Sequence, residues 1–383
     1  MIDLDANATT PLSPQARAAI TAAMALELGN PSSLHARGQA ARALLEQARK
    51  AVLTSVGGAG GKIVFTSGAT EANALAWHGV LTAPWTPLPV RIVTSAVEHP
   101  SIGALVKALR LRGVEIVEVP VDAAGQLDGA AYAAALQQPT TLVSLMAVQN
   151  ELGGIYPIAD LAARAHAVGA VFHCDATQAP GRVALDLNAL GVDLASLSAH
   201  KAGGPAGIGA LWLRRGQRLQ PLVAGHQEDG LRGGTENLLG AIGMAAAFGM
   251  LPERLAAMPR LRQLRDHLWQ GLQATGQVAR NGDVPPHLET GHVLNVAWAG
   301  VDGARLVRAL DLEHVCVSSG AACASGTQEP SHVLLACGQT AMQARGGLRF
   351  SLGPQTTLGE IDRVIQLLPS LLPRVRGPHL RQL

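Results

Sequence analysis

AVFHCDATQAPGRVALDLNALGVDLASLSAHKAGGPAGIGALWLRR (170–215) is the stretch that decides the fold. It opens on an apolar run ending at Asp175 and crosses a Gly/Pro-marked connection. A second apolar run follows, closed by Ser198, His200 and Lys201, and after a Gly-rich turn comes a third, IGALWLRR (208–215). Runs that stay apolar instead of alternating suit strands covered on both faces. Upstream, KIVFTS (62–67), RIVTSAVEH (91–99), VEIVEVPV (114–121) and TTLVSLMAV (140–148) repeat the pattern. Between them GATEANALAWHGV (68–80) and IGALVKALRLRG (102–113) carry helical spacing. Alternating strand and helix units predict an α/β fold with a doubly wound, mostly parallel sheet.

Downstream the composition shifts. ERLAAMPRLRQLRDHLWQGLQAT (253–275) reads as one long surface helix opening a second unit. HVLNVAWAG (292–300), HVCVSSG (314–320) and GLRFSLG (347–353) supply its strands, GARLVRALD (303–311) a helix, and a last helix runs from about Leu358 to Leu372. The expected division is a large domain over 16–254 and a smaller α+β domain from 1–15 and 255–383.

At 383 residues, 48% hydrophobic and 15% charged, the chain can bury a substantial core. A net charge of +2, with no basic run interleaved with aromatics, argues against nucleic acid as a direct partner. MIDLDANATTPLSP lacks the pattern of a signal peptide, and apolar stretches break before spanning length, so a cytoplasmic protein without membrane contact is expected. Its four cysteines, Cys174, Cys316, Cys323 and Cys337, form no CxxC pair and read as reduced thiols.

Lysine is scarce: Lys50, Lys62, Lys107 and Lys201 are the four among 30 basic residues. A Schiff base with an aldehyde cofactor needs an amine that can lose its proton, which arginine cannot supply. Lys50 and Lys107 lie on amphipathic helical runs, whereas Lys201 stands between a strand end and a Gly-rich turn. Asp175 ends its strand where a carboxylate would face the crevice at the carboxyl edge of the sheet; it suits the pyridine nitrogen of pyridoxal phosphate (PLP), or the N-cap of a following helix. His173, Cys174 and Asp175 alternate faces, so no metal site is expected there. TSGATEAN (66–73) places Thr70 and backbone N–H groups at a helix start, either a phosphate seat or an ordinary cap. GGAGGK (57–62) fails as a nucleotide loop, since Ile63 and a strand follow the lysine. His99 could stack on a planar cofactor and shuttle protons, or cap the helix opened by Pro100. Cys323, in the small-residue run SSGAACASGTQEPSH (318–332), reads as a reactive thiol, unlike Cys174 and Cys316 among apolar neighbours. Arg349 could clamp a carboxylate or form a surface salt bridge.

Together LDANATTPLSP (4–14), GNPSSLHARG (29–38), FTSGATEAN (65–73), EHPS (98–101), QNELGGIYPI (149–158), HCDATQAPG (173–181), SLSAHK (196–201), GHQEDGLRGGTEN (225–237), SSGAACASGTQEPSHVL (318–334) and LRFSLG (348–353) resemble the cysteine desulfurases, fold-type I PLP enzymes. The resemblance implies that Lys201 binds the cofactor and Asp175 pairs with its pyridine nitrogen. Gln178 would meet the ring hydroxyl, Asn150 the ring or substrate, and His99 the ring face. Ala69, Thr70, Ser198 and His200 would hold the phosphate, with Thr235 reaching the partner subunit's cofactor in a homodimer. Arg349, helped by Asn30 and Asn150, would bind the substrate L-cysteine, and Cys323 would take its sulfur as a persulfide for a protein acceptor. A selenocysteine lyase or a PLP aminotransferase of the same fold is the alternative. Ala199, Ala206, Asp229, Ala324 and Pro354 depart from the family's usual wording without removing a group the chemistry needs.

Overall fold

In the computed structural model, which describes residues 1–319 and 329–376, the strands in chain order are β1 (Ile2–Asp3), β2 (Lys62–Thr66), β3 (Arg91–Ser95), β4 (Glu115–Val119), β5 (Leu142–Met146), β6 (Val171–Asp175), β7 (Leu194–Ser198), β8 (Gly209–Leu213), β9 (Val278–Arg280), β10 (Val293–Trp298), β11 (Val315–Cys316), β12 (Ser318–Ser319) and β13 (Leu348–Ser351). Among the described residues, a seven-stranded sheet has the order β2-β8-β7-β6-β5-β3-β4. β4, β3, β5, β6 and β7 pair in parallel, and β8 runs against both β7 and β2. The reversal has a local cause: β7 reaches β8 through the turn Ala199–Ile208, too short for a crossover helix.

The continuous apolar runs are covered on both sides, as their composition requires. Trp212, Phe172, Cys174 and Leu197 face one layer of helices, while Leu211, Leu194, Ile92 and Leu142 join Trp77 on the other. A four-stranded antiparallel sheet, β12-β13-β10-β9, forms apart from it. Its core gathers Leu261, Leu268, Phe350, Ile361 and Leu368, with Leu4 from the N-terminal segment, whose β1 pairs with β11.

Several elements differ from expectation, among them the single strand expected over 314–320, which is split into β11 and β12 in separate sheets. The run 253–275 is two helices, Leu251–Ala256 and Met258–Gln273, because Pro259 has no N–H to continue the first. Leu261, Leu264, Arg265, Leu268 and Leu272 turn that second helix inward, so it is no surface element. The last helix runs to Val375 through Pro369 and Pro373, its buried Leu371, Leu372 and Val375 outweighing the missing donors. Strand β9 carried no strand signal: it is three residues long and lies at a sheet edge.

Candidate active site

Four turns at the carboxyl edge of the central sheet converge. β2 ends at Thr66, and Ser67 and Gly68 lead into helix Ala69–Leu81. Gly68 is its N-cap and offers no side-chain acceptor, which leaves first-turn N–H groups for a ligand. β8 starts hard against this turn: a Cβ on Gly209 would stand 2.6 Å from the Gly68 carbonyl carbon.

Asp175, at the end of β6, is 5% exposed. Its Oδ2 accepts the Asn73 amide at 2.9 Å and its Oδ1 the Thr177 N–H at 3.0 Å. A turn follows, not a helix, so Asp175 is no N-cap. Lys201 lies in the turn after β7, its Nζ donating to the Asn7 and Ala8 carbonyls, each at 2.7 Å.

His99 is the N-cap of helix Pro100–Arg110, its Nδ1 accepting the Ser101 N–H at 3.2 Å. Burial lowers its pKa; Asp175 opposes this, and Lys201 and His332 add to it. His200, whose Nδ1 is 3.1 Å from Thr9 Oγ1, is pushed down to about 4, by burial first and then by Lys201 and Arg182. Both rings are therefore neutral near pH 7.

These turns enclose a cavity of about 350 Å³ lined by Gly68, Ala69, Thr70, His99, Asp175, Ser198, His200 and Lys201. Cavities of about 390 and 520 Å³ lie elsewhere, but among the described residues their linings hold no lysine, histidine or cysteine, so chemistry outweighs size. Ser198 Oγ, Thr177 Oγ1 and Gln178 Oε1 are buried without a hydrogen-bond partner among the described residues. Orphans of this kind are uncommon in folded proteins, and beside a cavity a polar ligand is one group that completes their bonding.

The comparisons agree with this geometry. Residues 2–364 match the aminotransferase class-V family model. A cysteine desulfurase of Cereibacter sphaeroides is 45% identical over 98% of this chain and 96% of its own length. The chain belongs to the cysteine desulfurase family. A solved structure of a NifS-like protein superposes with a TM-score of 0.89 at 31% identity, covering 97% of this chain and 99% of that one. The structure of SspA in complex with cysteine follows at a TM-score of 0.79 and 28% identity, over 93% and 100% of the two chains.

Cysteine desulfurases depend on PLP, and the residues present fit it. The uncapped turn at Gly68 and the orphan Ser198 Oγ suit a phosphate, buried Asp175 a pyridinium, and the Gln178 Oε1 acceptor a ring hydroxyl. Gln178 Nε2 donates to Asn7 O at 3.1 Å. Asn150 is 8% exposed, and its carbonyl accepts Asn7 Nδ2 and Arg349 Nη1, both at 3.0 Å. Arg349, on β13, also donates from Nη2 to Asp5 at 2.8 Å, so it is no surface residue; its Nε is buried without a partner among the described residues.

Thr235 and Asn30 are exposed and lie outside the cavity lining of this chain. Cys323 lies outside the described residues, as does Ala324. Ala199 is buried and would touch any Cβ on Gly204, while Asp229 pairs with Lys62 at 2.7 Å. Pro354 offers its carbonyl to Arg260.

Three residues that composition did not single out organise the site. Asn7 links Lys201, Gln178, Asn150 and, through Oδ1, His292. Asn73 holds Asp175, and Asp5 holds Arg349. All sit inside quoted motifs, LDANATT and TSGATEAN, as polar side chains in otherwise small-residue runs.

Proposed function

We propose that this cysteine desulfurase converts L-cysteine to L-alanine and leaves the sulfur on Cys323 as a persulfide, for delivery to a protein acceptor in iron–sulfur cluster assembly or thiolation. The observation that carries the reading is the meeting of Lys201, Asp175 and the orphan Ser198 Oγ in one cavity. When bound, PLP supplies an electron sink next to the substrate Cα.

Asp175, held by Asn73 and Thr177, would keep a bound pyridine nitrogen protonated. Lys201 would hold the aldehyde and supply the amine that takes the proton from the substrate Cα. Arg349 binds the substrate carboxylate through its Nε–H, which has no partner among the described residues. The Cys323 thiolate attacks the substrate sulfur: the Cβ–S bond breaks, an S–S bond forms, and the carbon skeleton leaves as alanine. Thiol and cysteine become persulfide and alanine with no external oxidant.

In this reading the active form is a homodimer, and Thr235 would help hold the cofactor phosphate of the partner subunit. Exposed Met24, Leu26, Leu34, Leu222, Val223 and Leu239, on segments flanking Asn30 and Thr235, support a second copy on this face. The compartment is the cytoplasm; free thiols at Cys174, Cys316 and Cys337 support a reducing environment.

The test is release of sulfide and alanine from L-cysteine with added reductant, for the parent and Cys323→Ala. Equal amounts of both products from the parent, with turnover lost and the yellow cofactor kept in the variant, are expected. A parent that binds PLP and forms neither product overturns the reading.

A further inference from the structure

Four side chains form a line that leads away from the cavity and back to it. Asn73 Nδ2 donates to Asp175 Oδ2 at 2.9 Å and to Ser101 Oγ at 3.1 Å. Ser101 Oγ is 2.9 Å from His99 Nδ1, which also accepts the Ser101 N–H at 3.2 Å. The amide orientation is fixed chemically, because the opposite one would set Asn73 Oδ1 against a carboxylate oxygen. Asn73 is 1% exposed, and its Oδ1 is buried without a partner among the described residues. Leaving an acceptor unsatisfied is unfavourable, so this position is occupied for the two hydrogens of its NH2 group.

Proton accounting then runs in one direction. Ser101 Oγ accepts one of those hydrogens, so its own hydrogen is free to go to His99 Nδ1. With two donors aimed at it, Nδ1 keeps its lone pair and the ring hydrogen sits on Nε2. The ring lines the cavity, and with Nδ1 turned to Ser101, Nε2 is the nitrogen left to meet a ligand. We propose that Asn73 and Ser101 are positioning residues that lock His99 as a neutral Nε2–H donor toward substrate or cofactor, not as a base.

The charged and titratable groups around the ring are Asp175 at the end of β6, His200 and Lys201 after β7, and His332 at the start of helix His332–Ala336. Of these, Asp175 favours a charged ring and is the group whose carboxylate Asn73 engages. In this arrangement proton traffic at the substrate falls to Lys201, and His99 stabilises developing negative charge by hydrogen bonding.

The inference rests on the proposed desulfurase site, but its readout does not depend on turnover. Long-range 1H–15N spectra of protein labelled at histidine, with and without PLP, report which His99 nitrogen carries hydrogen. Expected in both forms is a bare Nδ1 and a protonated Nε2 from pH 6 to 8, with the His99 signal assigned by its loss in His99→Gln. Ser101→Ala removes the hydroxyl and keeps the backbone donor, and Asn73→Ala removes the relay. Each is expected to add Nδ1–H signal and to lower kcat on the order of tenfold, with KM little changed. If either variant loses cofactor, the spectra without PLP still decide the matter. A parent ring protonated on Nδ1, a ring titrating within pH 6 to 8, or an unchanged tautomer in both variants overturns the proposal. Loss of sulfide release with the tautomer intact counts against the desulfurase reading alone.

Discussion

Arg349 shows how one guanidinium is prepared for a ligand. Its Nη2 is held by Asp5 and its Nη1 by the Asn150 carbonyl, while its Nε remains buried and without a partner among the described residues. Lysine would keep the charge and lose the fixed fork of donors. Arg349→Lys is expected to raise KM for L-cysteine on the order of tenfold or more while the bound cofactor's absorbance is unchanged. Steady-state kinetics check this, and an unaltered KM would take Arg349 out of carboxylate recognition. Lys201 and Asp175 were legible in the sequence because Asp175 ends an apolar strand and Lys201, one of four lysines, closely follows another. Asp5, Asn7 and Asn73 were not, because their roles exist only once distant segments meet. Asp5 and Arg349 are 344 positions apart, and Asn7 and Asn150 are 143 apart. Local pattern carries no information about such pairs.

At the scale of elements, the site depends on the closeness of two strand ends. Gly209, the first residue of β8, leaves no room for a Cβ: Leu197 O and the Gly68 carbonyl carbon would both stand 2.6 Å from it, and backbone atoms cannot swing aside. Gly209→Ala must push Gly68 outward and tilt the start of helix Ala69–Leu81, where the phosphate is expected to sit. A stability loss of about 1–3 kcal/mol is expected from the overpacking, together with faster loss of PLP on dialysis. Denaturant midpoints and retained cofactor absorbance measure the two effects. A variant that keeps cofactor and stability would show that the Gly68 turn is free to shift. The central strands were readable because a strand covered on both faces has to be apolar along its whole length. The reversed direction of β8 is a property of the short connection Ala199–Ile208, which the apolar pattern alone does not report. β9 escaped notice because three edge residues bury too little to show a period.

The whole molecule carries buried titratable groups of two opposing kinds, and together they set where it is most stable. Burial holds His173 and His200 at about 4 and His292 well below its ordinary 6.5, and lowers His99 as well. Groups lowered on folding give stability that is complete above pH 6.5 and is lost as pH falls toward their folded values. Glu98 is the reverse: burial raises it from 4.5 to about 8, Ser95 opposing and Asp175 adding, and burial raises Glu151 too. Between about pH 4.5 and 6.5 the unfolded chain takes up protons on His173, His200 and His292 that the folded chain refuses, while the fold alone keeps one on Glu98, so stability rises with pH. Between pH 6.5 and 8 the histidines are neutral in both states, and Glu98 stays protonated only in the fold. Stability then falls as pH rises, with a slope approaching about 1.4 kcal/mol per pH unit for that one proton. A maximum near pH 6.5 is expected in urea midpoints measured from pH 5 to 8.5. Glu98→Gln keeps the acceptor for Ser95 Oγ and the Met146 N–H but has no proton to lose. It should flatten the alkaline limb and raise the thermal midpoint at pH 8 by about 2–4 °C, leaving the acid limb as it was. If the parent instead gains stability steadily up to pH 8, Glu98 is ionised in the folded protein, its charge held by the Ser95 hydroxyl and the Met146 N–H.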